Sequence, residues 1–487
     1  MGQQPGATKE VNRFLEDVAE QIQYKPIRKE IKEELEAHIE DRKEEYTLQG
    51  MDEADAWNKA IDHMGDAVEI GVHLNEVRKV QKNPLTVILV IALMVIGLLG
   101  NIRAGMVEKS GIFFLDSFYF LYGFTIFLIM YYFGFESMVK HLRTKFKVFM
   151  GAWLFILVFF MIQRVFEIHI YRMTKITIIF AGELLSIPII IGMAYFNRNK
   201  KYKSILLTAA VAAIVITSIS VHFMDDYFLA SNLIFLLTIF TALLYMIMKG
   251  MIKGKIRNQL FSWLLSLGVV LAVFAVSFEG SWKYEFQQCF YPEKLASDYF
   301  DDSYNSILIK NLLGKAELTG AIKLSQEELK SYYTSEWYFK SLGEFDYEYK
   351  MQSVKEGEVK ALEDVLPEHY QSNYRIAYWI FKYGWLPSIV LILMAAAVYG
   401  MLIRMVGRMK NNIGKVLAFS CTVALLLQFI LYILGNFGFQ FGRFCNFPFI
   451  SEGSASIIVN AVLVGLACSA FRYDRVFKEE KRKGIII

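Results

Sequence analysis

The chain has 487 residues, is 55% hydrophobic and 15% aromatic, and carries a formal net charge of +4. A mean hydropathy of +0.35 excludes an all-soluble globule, a disordered chain and a secreted disulfide scaffold. Charge is uneven: residues 1–83 and 279–375 are each net −7, leaving +18 on the other 307 residues. The two acidic parts would repel phosphate, which argues against a nucleic-acid partner.

Residues 1–83 read as a small cytoplasmic helical domain, with no cleavable signal peptide at its start. Pro26 begins a charged helix whose apolar positions Ile27, Ile31, Leu35 and Ile39 recur every four residues. Gly50 stops it, Asp52 starts the next, and Gly65 closes that one. Asp66 with Glu69 three residues later opens a last helix, expected to reach about Val80.

Pro84 then opens the first of ten apolar stretches near the ~20 residues that a bilayer requires. They are 85–102, 112–134, 147–166, 176–196, 204–221, 228–248, 259–278, 376–403, 414–438 and 453–471. Connections 135–148, 197–203, 249–258 and 404–415 each hold four Lys/Arg, and 472–487 holds six. The alternate connections hold between none and three. The positive-inside rule therefore places both termini in the cytoplasm and the loop 279–375 outside. The expected fold is an all-α polytopic bundle of about ten transmembrane helices over 84–475, preceded by the 1–83 domain. A basic tail follows at 476–487. Within the long loop, the charged, Pro-free stretch 324–365 reads as a helical or mixed insertion.

Chemistry-bearing signals are sparse. Glu183 lies inside the fourth stretch and must face the bundle or a watery cavity. A structural helix–helix hydrogen bond and a substrate contact are both compatible with it. Glu452, at the start of the last stretch, suits a helix N-terminus. GxxxxGK[ST], HExxH and GxSxG are absent, and the seven histidines are scattered, so neither an ATPase nor a metal site is indicated. No inverted halves with interrupted helices support a secondary transporter. Cys421 and Cys468 read as core residues; Cys289 and Cys445 fall in regions placed outside, where a bridge is compatible and two free thiols are the plainer reading.

Residues 446–460, NFPFISEGSASIIVN, resemble the PFISYGGSS signature of the shape, elongation, division and sporulation (SEDS) family, FtsW, RodA and SpoVE. Pro448, Phe449, Ile450, Ser451, Gly453 and Ser456 match; Glu452, Ser454 and Ala455 depart. The preceding LLLQFILYILGNFG, with Gln428 and Asn436, resembles the helix before that signature. In chain order, Ala181-Gly182-Glu183-Leu184 resembles its Pro-Ser-Glu-Leu, and Asp226 an Asp of its Pro-Asp-Leu-Gly. Phe290-Tyr291-Pro292-Glu293 resembles its FLNPE, Tyr304-Asn305 its Tyr-Gln, and Leu366-Pro367-Glu368 its LPE. Together these cover roughly 85–475. Residues 10–80 resemble a second module, the permease prefix or HAAS-type helical domain.

The resemblance implies a peptidoglycan glycosyltransferase-like protein. Its substrate would be a lipid-linked disaccharide precursor, and its partner a class B penicillin-binding protein or another membrane protein. It implies no cofactor, although a divalent cation on the diphosphate is compatible with it. Glu183, Tyr171 (where the family has a Trp), Ser451, Gly453 and Asn436 are the implied substrate-binding residues. The position of the family's outer-loop Asp holds Asn373, and an amide is no general base. Glu368 is the nearest surrogate. Three functions are thus in view: a polymerase using Glu368 or another loop carboxylate, a non-catalytic regulator of wall synthesis that binds precursor or a membrane partner, and a transporter of lipid-linked precursor.

Overall fold

The computed structural model describes residues 5–108, 111–140, 172–198, 229–277, 281–295, 302–332, 335–341, 347–353, 361–367, 370–442, 446–451 and 453–476, with positions 151, 155 and 158. The chain forms two compact units. One comprises residues up to Lys82, Met409–Asn412 and the chain from Phe471 onward; the other comprises Asn83–Arg408 and Ile413–Ala470.

The first unit holds α1 (Pro5–Glu20), α2 (Arg28–Leu48), α3 (Glu53–Met64) and α4 (Ala67–Val77). The four-residue repeat of α2 becomes its buried stripe: Ile31, Leu35 and Ile39, continued from Ile27 in the preceding 3-10 turn. Asp52 and Asp66 cap α3 and α4 by accepting from the backbone N–H of Ala54 and Glu69. The last helix ends at Val77 rather than near Val80. Arg78 leaves the helical conformation, is buried, and pairs with Glu30 and Glu34 of α2 at 3.4 and 2.7 Å. Asp474 joins the separate pieces of this unit. Its carboxylate accepts from the backbone N–H of Lys410 and Asn411, both at 2.8 Å, and from Gln81 Nε2 at 3.1 Å. The Gln81 backbone N–H also donates to the Arg472 carbonyl at 2.8 Å.

The second unit is a bundle of apolar helices with an insertion. Among the described residues, eight helices are long and apolar enough to cross a membrane, so the chain is a polytopic α-helical membrane protein. They are Pro84–Arg103, Ser117–Lys140, Ile178–Phe196, Leu229–Met248, Ile256–Val276, Trp385–Arg408, Asn412–Asn436 and Ala455–Arg472. Apart from positions 151, 155 and 158, the expected stretches 147–166 and 204–221 lie outside the described residues, as does the tail 477–487. The helices bearing these spans are α5 (Pro84–Glu108), α6 (Gly111–Ile129, continued by a π turn at Met130–Gly134), α7 (Arg172–Phe196), α8 (Leu229–Met248) and α9 (Ile256–Ser277).

The long loop contains α10 (Ser281–Phe290), α11 (Asp302–Lys315) and α12 (Gln326–Ser331). An antiparallel hairpin follows, β1 (Ser335–Ser341) with β2 (Tyr347–Ser353), in the register Ser335 opposite Ser353. The 324–365 insertion is thus mixed. Ser325 and Glu328 form a reciprocal capping box at α12. The expected stretch 376–403 is two helices, α13 (Arg375–Tyr383) and α14 (Trp385–Arg408), parted at Gly384. The aromatic residues of α13 make it read as membrane-spanning. Its apolar face is instead amphipathic and buried within the protein, with Ile376, Ile380 and Phe381 fully covered. The unit closes with α15 (Asn412–Asn436) and α16 (Ser454–Arg472), the terminal residues of both helices belonging to the first unit.

Candidate functional site at the end of the long loop

The long loop re-enters the bundle at residues 370–375, and buried polar side chains of α15 receive it. Tyr432 Oη donates to the Ser372 carbonyl at 2.7 Å and accepts from the Arg375 N–H at 3.2 Å. One turn later, Asn436 Nδ2 donates to the Asn373 carbonyl at 3.0 Å, while its Oδ1 accepts from the Ala377 N–H at 3.1 Å. Ala377 is the third residue of α13, so Asn436 supplies from another helix what an N-cap side chain normally supplies. Tyr374 Oη donates to Gln440 Oε1 at 2.7 Å. Farther along, Glu285 of α10 accepts from the Gly442 N–H at 2.8 Å.

Arg375 is the centre of this junction and is 2% exposed. Its guanidinium donates to the carbonyls of Gln371 and Ile450, both at 2.5 Å, and at 3.5 Å to Asn101 Oδ1 on α5. One cation therefore joins the loop end, the turn before α16 and the first membrane helix. That turn is built by Ser451, whose hydroxyl accepts from the Phe447 N–H at 2.8 Å. Phe449 adopts the left-handed backbone region at φ 73°, and its carbonyl lies where a Cβ on Gly97 would come within 2.2 Å. Only glycine at 97 permits that approach. Gly453 also has positive φ, 129°, beside Asn446.

Around α13 the charges are paired. Glu363 accepts from Lys382 at 2.9 Å and from Tyr378 at 3.1 Å. Burial, the largest single influence, disfavours the Glu363 carboxylate, but the hydrogen bonds from Lys382, the backbone and Tyr378, with the Lys382 charge, together hold the carboxyl below its usual range. Burial likewise opposes the Lys382 ammonium, and the hydrogen bonds it donates to Tyr378 and Glu363 reverse that, raising it. Lys382 also contacts Tyr378 Oη directly, at 2.5 Å.

The sequence-derived residues fall into three groups. Asn373, Asn436 and Ser451 meet at the junction, and Gly453 follows Ser451 by two residues. Glu183 belongs to a different contact: it is fully buried and accepts from Ser231 of α8 at 2.7 Å, so it faces the bundle. Tyr171, Glu368, Asp226 and Glu452 lie outside the described residues. Asn436 and Ser451 are occupied with backbone groups, and the half-buried Asn373 is held through its carbonyl. Residues 371–377 are thereby fixed relative to α5, α15 and the turn before α16. Arg375, Tyr432, Gln440 and Asn101 escaped the sequence reading. An arginine opening an apolar stretch and an asparagine inside the first span were the available signals.

Among the described residues, no three His, Cys, Asp or Glu side chains converge as a metal site would require. Cys289, Cys421 and Cys468 are buried free thiols, and burial pushes the Cys289 thiol up; Cys445 lies outside the described residues.

No protein-family model matches the chain, and no curated protein matches it. A solved structure does, described as "Structural coordination of polymerization and crosslinking by a peptidoglycan synthase complex". One of its chains superposes with a TM-score of 0.52 at 12% identity, covering 81% of this chain and 98% of that one. At that identity the likeness shows a shared fold.

Proposed function

We propose that this chain is a divergent SEDS-type protein of peptidoglycan synthesis that binds a lipid-linked disaccharide precursor beside the loop junction. Support comes from the likeness to a chain of a peptidoglycan synthase complex over 98% of that chain's length. The ordered motifs of the sequence add to it. The observation that carries the reading is the junction itself. The loop end at Asn373, where the resemblance expects the reacting carboxylate, is anchored by Asn436, Tyr432 and Arg375 against three parts of the bundle. Such anchoring holds a loop residue in one fixed position, as a binding site requires. A membrane partner, of the class B penicillin-binding type, follows from the same resemblance.

One observation favours a non-catalytic role over polymerisation. Residue 373 is an amide, and the described carboxylate in contact with α13, Glu363, is already engaged by a lysine. Held in its charged form below the usual carboxyl range, Glu363 is a weakened proton acceptor. The reading is therefore a precursor-binding regulator or scaffold with cytoplasmic termini. Purified full-length protein incubated with labelled lipid-linked disaccharide–pentapeptide tests it, scored both for retained precursor and for glycan chains. Retention without chains is expected. Chains made by the wild type and lost in Glu368→Gln would show a polymerase, and failure to retain precursor would overturn the binding reading.

A further inference from the structure

The first helix of the long loop, α10, turns its polar side chains inward. Glu285 and Gln288 are buried against the protein, whereas Trp282, Phe286 and Phe290 are 39%, 49% and 53% exposed. These aromatics recur every four residues and so form one stripe along the helix, with the Phe286 and Phe290 ring centres 4.8 Å apart. Lys283 and Gln287 are exposed along one edge of it. A helix on a water-facing surface has the opposite arrangement, with apolar residues inward and polar residues outward. The turn after α10 extends the pattern: Tyr291 is half exposed, and Lys294 Nζ lies 4.6 Å from its ring centre.

The place of α10 in the fold says what covers the stripe. The consecutive spans of α8 and α9 pack on each other, so the start of Leu229–Met248 and the end of Ile256–Val276 lie on the same side of the bilayer. Glu285 ties α10 to that level. It accepts from the Gly442 N–H, and Gly442 packs against Ala230, the second residue of Leu229–Met248. The approach is close: a Cβ on Gly442 would come within 3.2 Å of Ala230 Cβ. From the other direction, Ser281 begins α10 five residues after Val276 ends its span, at most about 18 Å of extended chain. The end of α9 is itself open to lipid, with Leu271 and Val276 exposed. Thus α10 sits where two neighbouring spans leave the hydrocarbon. Tryptophan and tyrosine favour that level, and a lysine beside them can extend its ammonium to lipid phosphates.

We infer that α10 lies along the bilayer surface as an interfacial helix, with Trp282, Phe286 and Phe290 inserted at the headgroup level and Lys283 and Gln287 on the aqueous edge. Bilayer lipid, not another protein chain, covers the stripe. Because α11 packs on both α10 and α13, this membrane contact steadies the loop end through the protein. The inference does not rest on the proposed precursor site.

Photocrosslinking of the full chain in native membranes tests it, with p-benzoylphenylalanine placed singly at positions 286, 290 and 287, and at 264 on the exposed side of α9 as the lipid-facing reference. Adducts are identified by mass spectrometry. Lipid adducts are expected at 286 and 290, at yields comparable with position 264, and are expected to be lost at 287. Each replacement at 286 or 290 keeps an aromatic ring at a half-exposed site, and either position decides the matter if the other variant does not fold. Protein adducts in place of lipid at these positions would overturn the inference by showing a partner chain on the stripe. It would equally be overturned by no adduct at 286 and 290 while 264 is labelled, or by equal lipid labelling at 286 and 287.

Discussion

At the scale of single residues, the junction rests on a few buried polar side chains with several duties each. Asn436 satisfies the Asn373 carbonyl and the Ala377 N–H together, so Asn436→Ala would leave one buried and one half-buried backbone group without that partner. Leaving such a group unpaired costs about 1–3 kcal/mol. Loss of that size is expected in a denaturant titration of the purified protein, and Asn436→Asp, which keeps the acceptor, should recover part of it. Gly97 is more stringent. A Cβ at 2.2 Å from the Phe449 carbonyl cannot be absorbed by a side-chain rotation, because the obstacle is backbone. Gly97→Ala is expected to destabilise by at least the ~1–3 kcal/mol typical of overpacking, measured by the same titration. Burial makes Arg375 just as sensitive, since any replacement leaves the Ile450 carbonyl without its donor.

At the scale of elements, α13 shows what pattern reading captures and what it loses. Its apolar and aromatic residues were legible, but not the Gly384 break that separates it from α14. A hydropathy run does not register a helix that buries its apolar face against protein instead of lipid. The hairpin at 335–353 was equally hidden, because a charged, Pro-free segment has no strong period. Helix caps fared better, because Asp52 and Asp66 act through local geometry that a sequence carries directly. The Glu363–Lys382 pair ties α13 to the segment before the loop end and gives it a pH signature. Glu363, held below its usual range, contributes stability above the unfolded carboxyl value of about 4.3 and loses it as pH falls through the folded value. Lys382, raised, contributes below the unfolded amine value of about 10.4 and loses it only as pH rises through the higher folded value. The stability gap between wild type and Lys382→Gln should therefore be flat from about pH 5 to 10 and close in stronger acid. A gap that opens with acidification would show that the pair does not stabilise the fold.

At the scale of the whole molecule, the uneven charge of the sequence corresponds to real divisions. The acidic N-terminal segment folds as four helices of the first unit, and the acidic loop carries the hairpin-containing insertion and the anchored end at Asn373. Eight of the ten expected spans fall among the described residues; seven correspond to one long apolar helix each, and the stretch 376–403 divides into α13 and the membrane-length α14. What the sequence could not convey is long-range pairing. Asp474 binding the Lys410 and Asn411 amides, or Arg375 reaching Ile450, joins residues tens of positions apart with no shared pattern. Asp474→Ala removes a charged acceptor from three donors in the first unit. Hydrogen bonds to a charged group are worth about 1.5–3 kcal/mol, so trypsin cleavage after Lys79 and Lys82 is expected to quicken at least tenfold. An unchanged cleavage rate would show that Asp474 does not secure that segment.

Placing a photoreactive residue at position 373 of the full chain in native membranes tests precursor binding most directly. The same residue at position 264, exposed on the lipid-facing side of α9, serves as the control. After irradiation with labelled lipid-linked disaccharide–pentapeptide, a saturable adduct is expected at 373 and only background at 264. Equal labelling at the two positions, or none at 373, would contradict a precursor site beside the loop junction.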